Sequence, residues 1–164
     1  MKNRHRLRTF ILWSLLIYSG GILGPAAGWA DDVRLSIGQT VYVPIYSHVY
    51  SGIKGRPFDL AATLSIRNTD PKYPISLIAV KFYDTAGKLV REYLDAPVIL
   101  TALASTRYIL AEGEQAGGSG ANFLVVWKAD NAVNPPIIEG VMIGTHSGQG
   151  ISFVSRGQVI TPDH

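Results

Sequence analysis

From Val41 onward, short segments with period-two alternation or continuous apolar character are separated by glycine, proline and asparagine clusters. In "DLAATLSIRN", Leu60, Ala62, Leu64 and Ile66 alternate with Ala61, Thr63, Ser65 and Arg67, the pattern of a strand with one buried face. In "TVYVPIYSHVY", Val41, Val43, Ile45 and Val49 fall on one side and Tyr42, Pro44, Tyr46, His48 and Tyr50 on the other. Pro44 has no amide proton for a central ladder, so this segment is predicted to be an edge strand. "ISLIAVKFYD" and "KLVREYL" flank "TAG", where Gly87 suits the left-handed position of a short hairpin loop. "PVILTAL", "STRYILAE" and "NFLVVWKA" follow, the last with Phe123, Val125 and Trp127 turned to the core. "PIIEGVMIGTH" and "GISFVSRGQVI" then close on a turn at Ser147 and Gly148. A two-residue turn there sets His146 opposite Gln149, Val141 opposite Val154 and Glu139 opposite Arg156, with Met142, Ile151 and Phe153 facing inward.

No segment keeps a helical period, and no crossover helix fits between the strands. The expectation is an all-β chain: a single antiparallel β-sandwich of about 7–8 strands, broadly immunoglobulin-like.

The first thirty residues differ in kind. Lys2, Arg4, Arg6 and Arg8 precede the apolar run "TFILWSLLIYSGGILG", and "PAAGWA" supplies small residues ahead of Asp31 and Asp32. This reads as a secretory signal peptide over residues 1–30, cut after Ala30, followed by one domain over 31–164. The run from Thr9 to Gly24 holds 16 residues, against the roughly 20 that a spanning helix needs. No stable membrane span is therefore expected after cleavage. The leader has no twin-arginine pair, and the chain has no cysteine for lipid attachment.

Charge looks different once the leader is set aside. It carries four of the 15 Lys and Arg and none of the 12 Asp and Glu, which leaves 11 against 12, a net charge of −1 instead of +3. A nearly neutral domain without basic runs lacks the clustered cations that neutralise phosphates, so no nucleic-acid partner is expected. The absence of cysteine removes thiol catalysis, disulfides and thiolate metal sites. At 134 residues, counted as 164 less the leader, the domain is long enough to bury a self-sufficient core without staples.

Candidate chemistry is sparse. "GGSGANF" lacks the lysine and the following helix of a phosphate loop, so its glycines are expected to serve a turn that feeds a strand. "GGSGAN" also lacks the spacing of a nucleophile elbow. His48 and His146 stand apart from any ligand motif, so no metal or other cofactor and no catalytic set is expected. What remains is a tyrosine-rich surface at Tyr42, Tyr46, His48 and Tyr50, and the loop residues Ser119 and Asn122. Such a surface suits ring stacking or acceptance of a partner strand. Glu139 and Arg156 form a candidate cross-strand polar pair.

The blocks "GQTVYVPIYSHVY", "GRPFDLAATLSIRNTDP", "GGSGANF", "NPPIIEGVMIGT" and "GISFVSRGQVI" resemble the bacterial family catalogued as domain of unknown function 3124, over roughly Gly38 to Ile160. The resemblance implies an exported bacterial protein, periplasmic or extracellular, and carries no established activity. The expected role is a non-catalytic binding or assembly module of the bacterial envelope, taking an envelope ligand or protein. It would act through Tyr42 to Tyr50 or through the loops Gly52 to Arg56 and Gly117 to Asn122. The alternatives are an envelope hydrolase or sugar-processing enzyme whose site forms only in three dimensions, and a structural envelope subunit.

Overall fold

A computed structural model of the chain describes residues 34–162 except 52, 53, 115 and 147, and omits the side chains of Ser51, His146 and Pro162. The predicted leader lies outside the described residues. Among those residues the regular elements are twelve strands: β1 (Ser36–Ile45), β2 (His48–Ser51), β3 (Arg56–Asp59), β4 (Ala61–Arg67), β5 (Ile75–Tyr83), β6 (Leu89–Glu92), β7 (Val98–Leu100), β8 (Ser105–Leu110), β9 (Ala121–Val133), β10 (Ile137–His146), β11 (Gln149–Arg156) and β12 (Gln158–Pro162). No helix of the described residues is long and apolar enough to cross a membrane.

The strands form three open antiparallel sheets. One runs β12-β1-β9-β5-β6 with β7 also on β5, the second β11-β10-β4-β8, and the third is the hairpin β2-β3. Nine segments of the sequence read as strands, where about 7–8 are expected in total, and the three further strands arise as follows. "TVYVPIYSHVY" bends at Tyr46 and Ser47 to become β1 and β2, β3 was not anticipated, and "GISFVSRGQVI" breaks at Gly157 into β11 and β12.

The break at Gly157 corrects the expectation for the first strand. β12 pairs with β1 from Gln39 to Tyr42 while β9 pairs along its other side, so β1 is internal. Pro44 lies beyond the last β12 partner, where β1 keeps one neighbour instead of two. A residue without an amide proton is tolerated in that position.

Side chains from both larger sheets meet in one hydrophobic core. The predicted inward residues Leu60, Ala62, Leu64 and Ile66, and Phe123, Val125 and Trp127, are all buried in it. In β5 the buried parity changes from Ile75 and Leu77 to Val80 and Phe82, because the register with β9 shifts between Leu77 and Ala79. An irregularity of this kind flips the faces that follow it. Tyr93 stacks against Phe123 of the first sheet at 5.7 Å and Tyr108 of the second at 5.1 Å, within the range of favourable aromatic pairs.

The loop after β4 is held by polar groups. Asn68 Nδ2 donates to the carbonyls of Tyr73, Leu100 and Thr101. Asp70, 6% exposed, accepts the backbone N–H groups of Tyr73 (2.8 Å), Lys72 (2.9 Å) and Asn134 (3.1 Å). The N–H of Tyr73 first, then those of Lys72 and Asn134, hold its carboxyl below the ordinary aspartate value of 3.8. A carboxylate depressed in this way contributes stability that is complete above the unfolded value and fades as pH falls through the folded one. Asp70→Asn is therefore expected to melt below the parent chain at neutral pH. The gap should close in acid below the usual carboxylate range, as followed by circular dichroism across pH; a gap independent of pH would show that the charge on Asp70 does not matter.

Candidate functional site

β1 ends and its antiparallel neighbour β9 begins at the same end of the first sheet, and that end gathers most of the residues singled out in the sequence. Pro44 pairs with Asn122 and Asn122 with Tyr83, while Tyr42 pairs with Leu124 and Leu124 with Lys81. Alternation with the buried Val41, Val43, Phe123 and Val125 turns Tyr42 and Asn122 to the outer face of the sheet. Beyond them the chain leaves β1. Tyr46 is partly exposed and its ring meets Phe153 of β11 edge-on at 5.7 Å.

Ser47 is the pivot of this end. It continues the inward parity of Val41, Val43 and Ile45 and is only 9% exposed. Its N–H donates to Gly118 O at 3.5 Å, and its carbonyl accepts the N–H of Leu60 at 2.9 Å. The pivot breaks the alternation that the sequence suggested, so His48 and Tyr50 sit on the β2-β3 hairpin and not on a continuation of β1.

On that hairpin the His48 ring is held from both sides: Nδ1 lies 3.0 Å from Ser47 Oγ and Nε2 lies 3.1 Å from Tyr50 Oη. A neutral imidazole satisfies such a pair by donating with one nitrogen and accepting with the other. The His48 and Tyr50 rings meet at 5.2 Å and 87°, and Tyr50 remains 64% exposed. Asp59 stands opposite His48 in the backbone register, and no hydrogen bond joins its carboxylate to the imidazole. Gly52 and Ile53 lie outside the described residues.

The glycine-rich loop acts as a turn. Gly117 O accepts both the N–H and the Oγ1 hydroxyl of Thr85, at 2.9 and 3.0 Å, and Gly120 N–H donates to Thr85 Oγ1 at 3.1 Å. The hairpin between β5 and β6 thus occupies the Gly120 N–H, a donor that a bound anion would need. A Cβ on Gly117 would stand 2.4 Å from Phe82 Cζ, and Gly118 has φ +72°. Close approach and a left-handed backbone are two uses for which glycine is suited. Ser119, half-buried in this loop, makes no side-chain hydrogen bond with the described residues.

Glu139 and Arg156 are cross-strand neighbours in the register expected from the turn, together with Val141 and Val154 and with His146 and Gln149. Their side chains form no ion pair; the ion pairs among the described residues are Lys81 with Glu92 and Arg91 with Glu114. They lie on the second sheet, apart from the tyrosine surface. No group of three His, Cys, Asp or Glu able to hold a metal occurs among the described residues.

Sequence reasoning missed Ser47 and Thr85. Ser47 leaves a trace, a polar residue at an inward position of an otherwise apolar alternation. Thr85 leaves none, since its partners are Gly117 and Gly120, more than thirty positions away.

No curated protein matches the chain in sequence. Its fold is similar to the crystal structure of Thermotoga maritima 1070, at a TM-score of 0.44 and 11% identity, covering 76% of this chain and 97% of that one. The family described as Protein of unknown function (DUF3124) matches residues 38–160, the span over which the signature blocks run, and the chain belongs to that family.

Proposed function

We propose that the chain is a non-catalytic, extracytoplasmic binding module of the bacterial envelope, an antiparallel sandwich broadly of immunoglobulin form that presents an aromatic surface at one end. The leader and the single core shared by two sheets support the setting and the architecture. The observation that carries the function is the fixed arrangement of Tyr46, His48 and Tyr50. Phe153 braces the first ring, while Ser47 and Tyr50 orient the second. Aromatic faces held in place beside free polar groups recognise ring-shaped ligands such as sugars at a small entropic cost.

A hydrolase reading draws on Ser47 and His48, whose Oγ and Nδ1 are 3.0 Å apart. Two features favour binding instead. Ser47 is 9% exposed, so a substrate carbonyl has little access to it. The second ring nitrogen of His48 is engaged by a phenol, whereas a working triad orients its histidine with a carboxylate.

Thermal melting of the chain against envelope glycans and peptides tests the proposal. A ligand at a hundred times its dissociation constant adds about 2.7 kcal/mol and moves the midpoint by several degrees. The shift is expected to vanish in Tyr50→Ala and Tyr46→Ala, while the unliganded midpoint of Tyr50→Ala changes little because that ring is exposed. A shift that survives both substitutions would place recognition elsewhere.

A further inference from the structure

β11 is paired with β10 along its whole length, Gln149 to Arg156, and among the described residues no strand pairs with its other edge. Natural edges are protected by shortness, proline, bulges or charges along the strand. The other sheet ends show such devices: β6 has four residues, β12 has five and carries Pro162, and β8 has Arg107 near its middle. β11 has eight residues, no proline, no shift in its register with β10, and no charge before Arg156 at its end.

The surface beside this edge has a definite chemistry. Val154 and Ile143 are each 53% exposed, and Val141 lies between them on the same outer face. In the next row the register aligns Arg156, Glu139, Ser65 and Arg107, with Arg67 one step further along β4. Three arginines against one glutamate leave this face cationic. Arg156 is exposed and forms no ion pair among the described residues, even with Glu139 directly across from it.

We infer that the free edge of β11 accepts an extended, acidic segment of a partner protein as an added strand. Main-chain hydrogen bonds would supply affinity, and alternate side chains would supply selection. An added strand places one residue beside Val154 and the residue two positions away beside Arg156. The fitting segment therefore carries an aliphatic side chain and a carboxylate in alternate positions on one face, and on the other an apolar residue against Phe153. A second copy of the chain is a poorer occupant, because β11 contains no Asp or Glu. Two β11 strands pairing with each other would leave both guanidinium groups without a counter-charge. The inference rests on the free edge and the charge of the second sheet, and it shares only Phe153, which meets Tyr46, with the aromatic surface proposed above.

The test uses the full chain, labelled for amide detection, and two capped seven-residue peptides of threonine and valine, with valine placed to meet both Val154 and Phe153. One has glutamate placed to meet Arg156, and the other has lysine there. With the glutamate peptide, amide signals of 150–156 should shift and their hydrogen exchange should slow, with binding about fivefold tighter than for the lysine peptide, the scale of one cross-strand charge pair. Arg156→Gln, which removes the charge without setting a carboxylate opposite Glu139, should abolish that preference with little change in the melting midpoint. Equal binding of the two peptides, or perturbation confined to residues outside β11, would overturn the inference. So would sedimentation of the free chain as a dimer with the β11 amides already protected.

Discussion

Trp127→Ala is expected to cost about 3–5 kcal/mol of folding stability, the range for removing a large aromatic from a packed core. Trp127 heads the fully buried side chains by volume and is 0% exposed. It lies in the middle of β9, opposite Leu77 on one neighbour and Gln39 on the other. A cavity there opens in the strand that joins the two halves of the first sheet, and a domain of this size has only about 5–15 kcal/mol in total. One detail sharpens the expectation. Trp127 Nε1 is buried without a hydrogen-bond partner among the described residues, and an unsatisfied buried donor costs about 1–3 kcal/mol. Trp127→Phe removes that donor along with some volume, so its loss should be well below that of the alanine variant. Urea unfolding followed by far-ultraviolet circular dichroism would rank the three proteins. Equal losses for the two variants would mean that the indole nitrogen has a partner after all.

Gly157→Val is expected to be the second severe change, about 1–3 kcal/mol or more by overpacking. A Cβ at this position would meet Val41 Cγ1 at 2.6 Å and the carbonyl oxygen of Ile138 at 2.7 Å. The second contact is backbone, so no side-chain rotation relieves it. The N–H of Gly157 also donates to Ile138 O at 2.9 Å, which pins the chain where it passes from β11 to β12. Displacing this corner should loosen β12 from β1 before the rest unfolds. Amide exchange would then accelerate at 158–161 and in β1, with β10 and β4 little changed. A midpoint equal to that of the parent chain would show that the corner is not tight.

How much of this was legible depended on the distance over which each feature is set. The β10–β11 register is dictated by a two-residue turn and by alternation on either side, so Glu139 could be placed opposite Arg156 from sequence. The same holds for the inward faces of β4 and β9. The switch at Gly157 was not legible, because it depends on contact with Val41 and Ile138, while locally "SRGQV" reads like any strand with one glycine. That omission produced the error about β1: Pro44 marks a place lacking one neighbour, yet a strand from the far end of the chain covers the residues before it.

The tyrosine surface was legible as composition and misread as geometry. Simple alternation put Tyr42, Tyr46, His48 and Tyr50 on one flat face. Ser47 instead turns the chain, held by Gly118 and Leu60, and only after that turn does His48 meet Tyr50. Neither anchor can be inferred from the local pattern.

The position of β1 between β9 and β12 has a bearing on how the molecule comes into being. Its first neighbour begins at Ala121 and its second at Gln158, so a chain delivered from its amino end holds β1 with both flanks bare until β9 arrives, and with one flank bare until nearly all of it has arrived. Pairings that close such long loops are reached slowly, on the millisecond-to-second scale of all-β domains. An amino-terminal half that ends before Ala121 lacks both partners of β1. In the interval the exposed "TVYVPI" segment is what a holding chaperone would meet first.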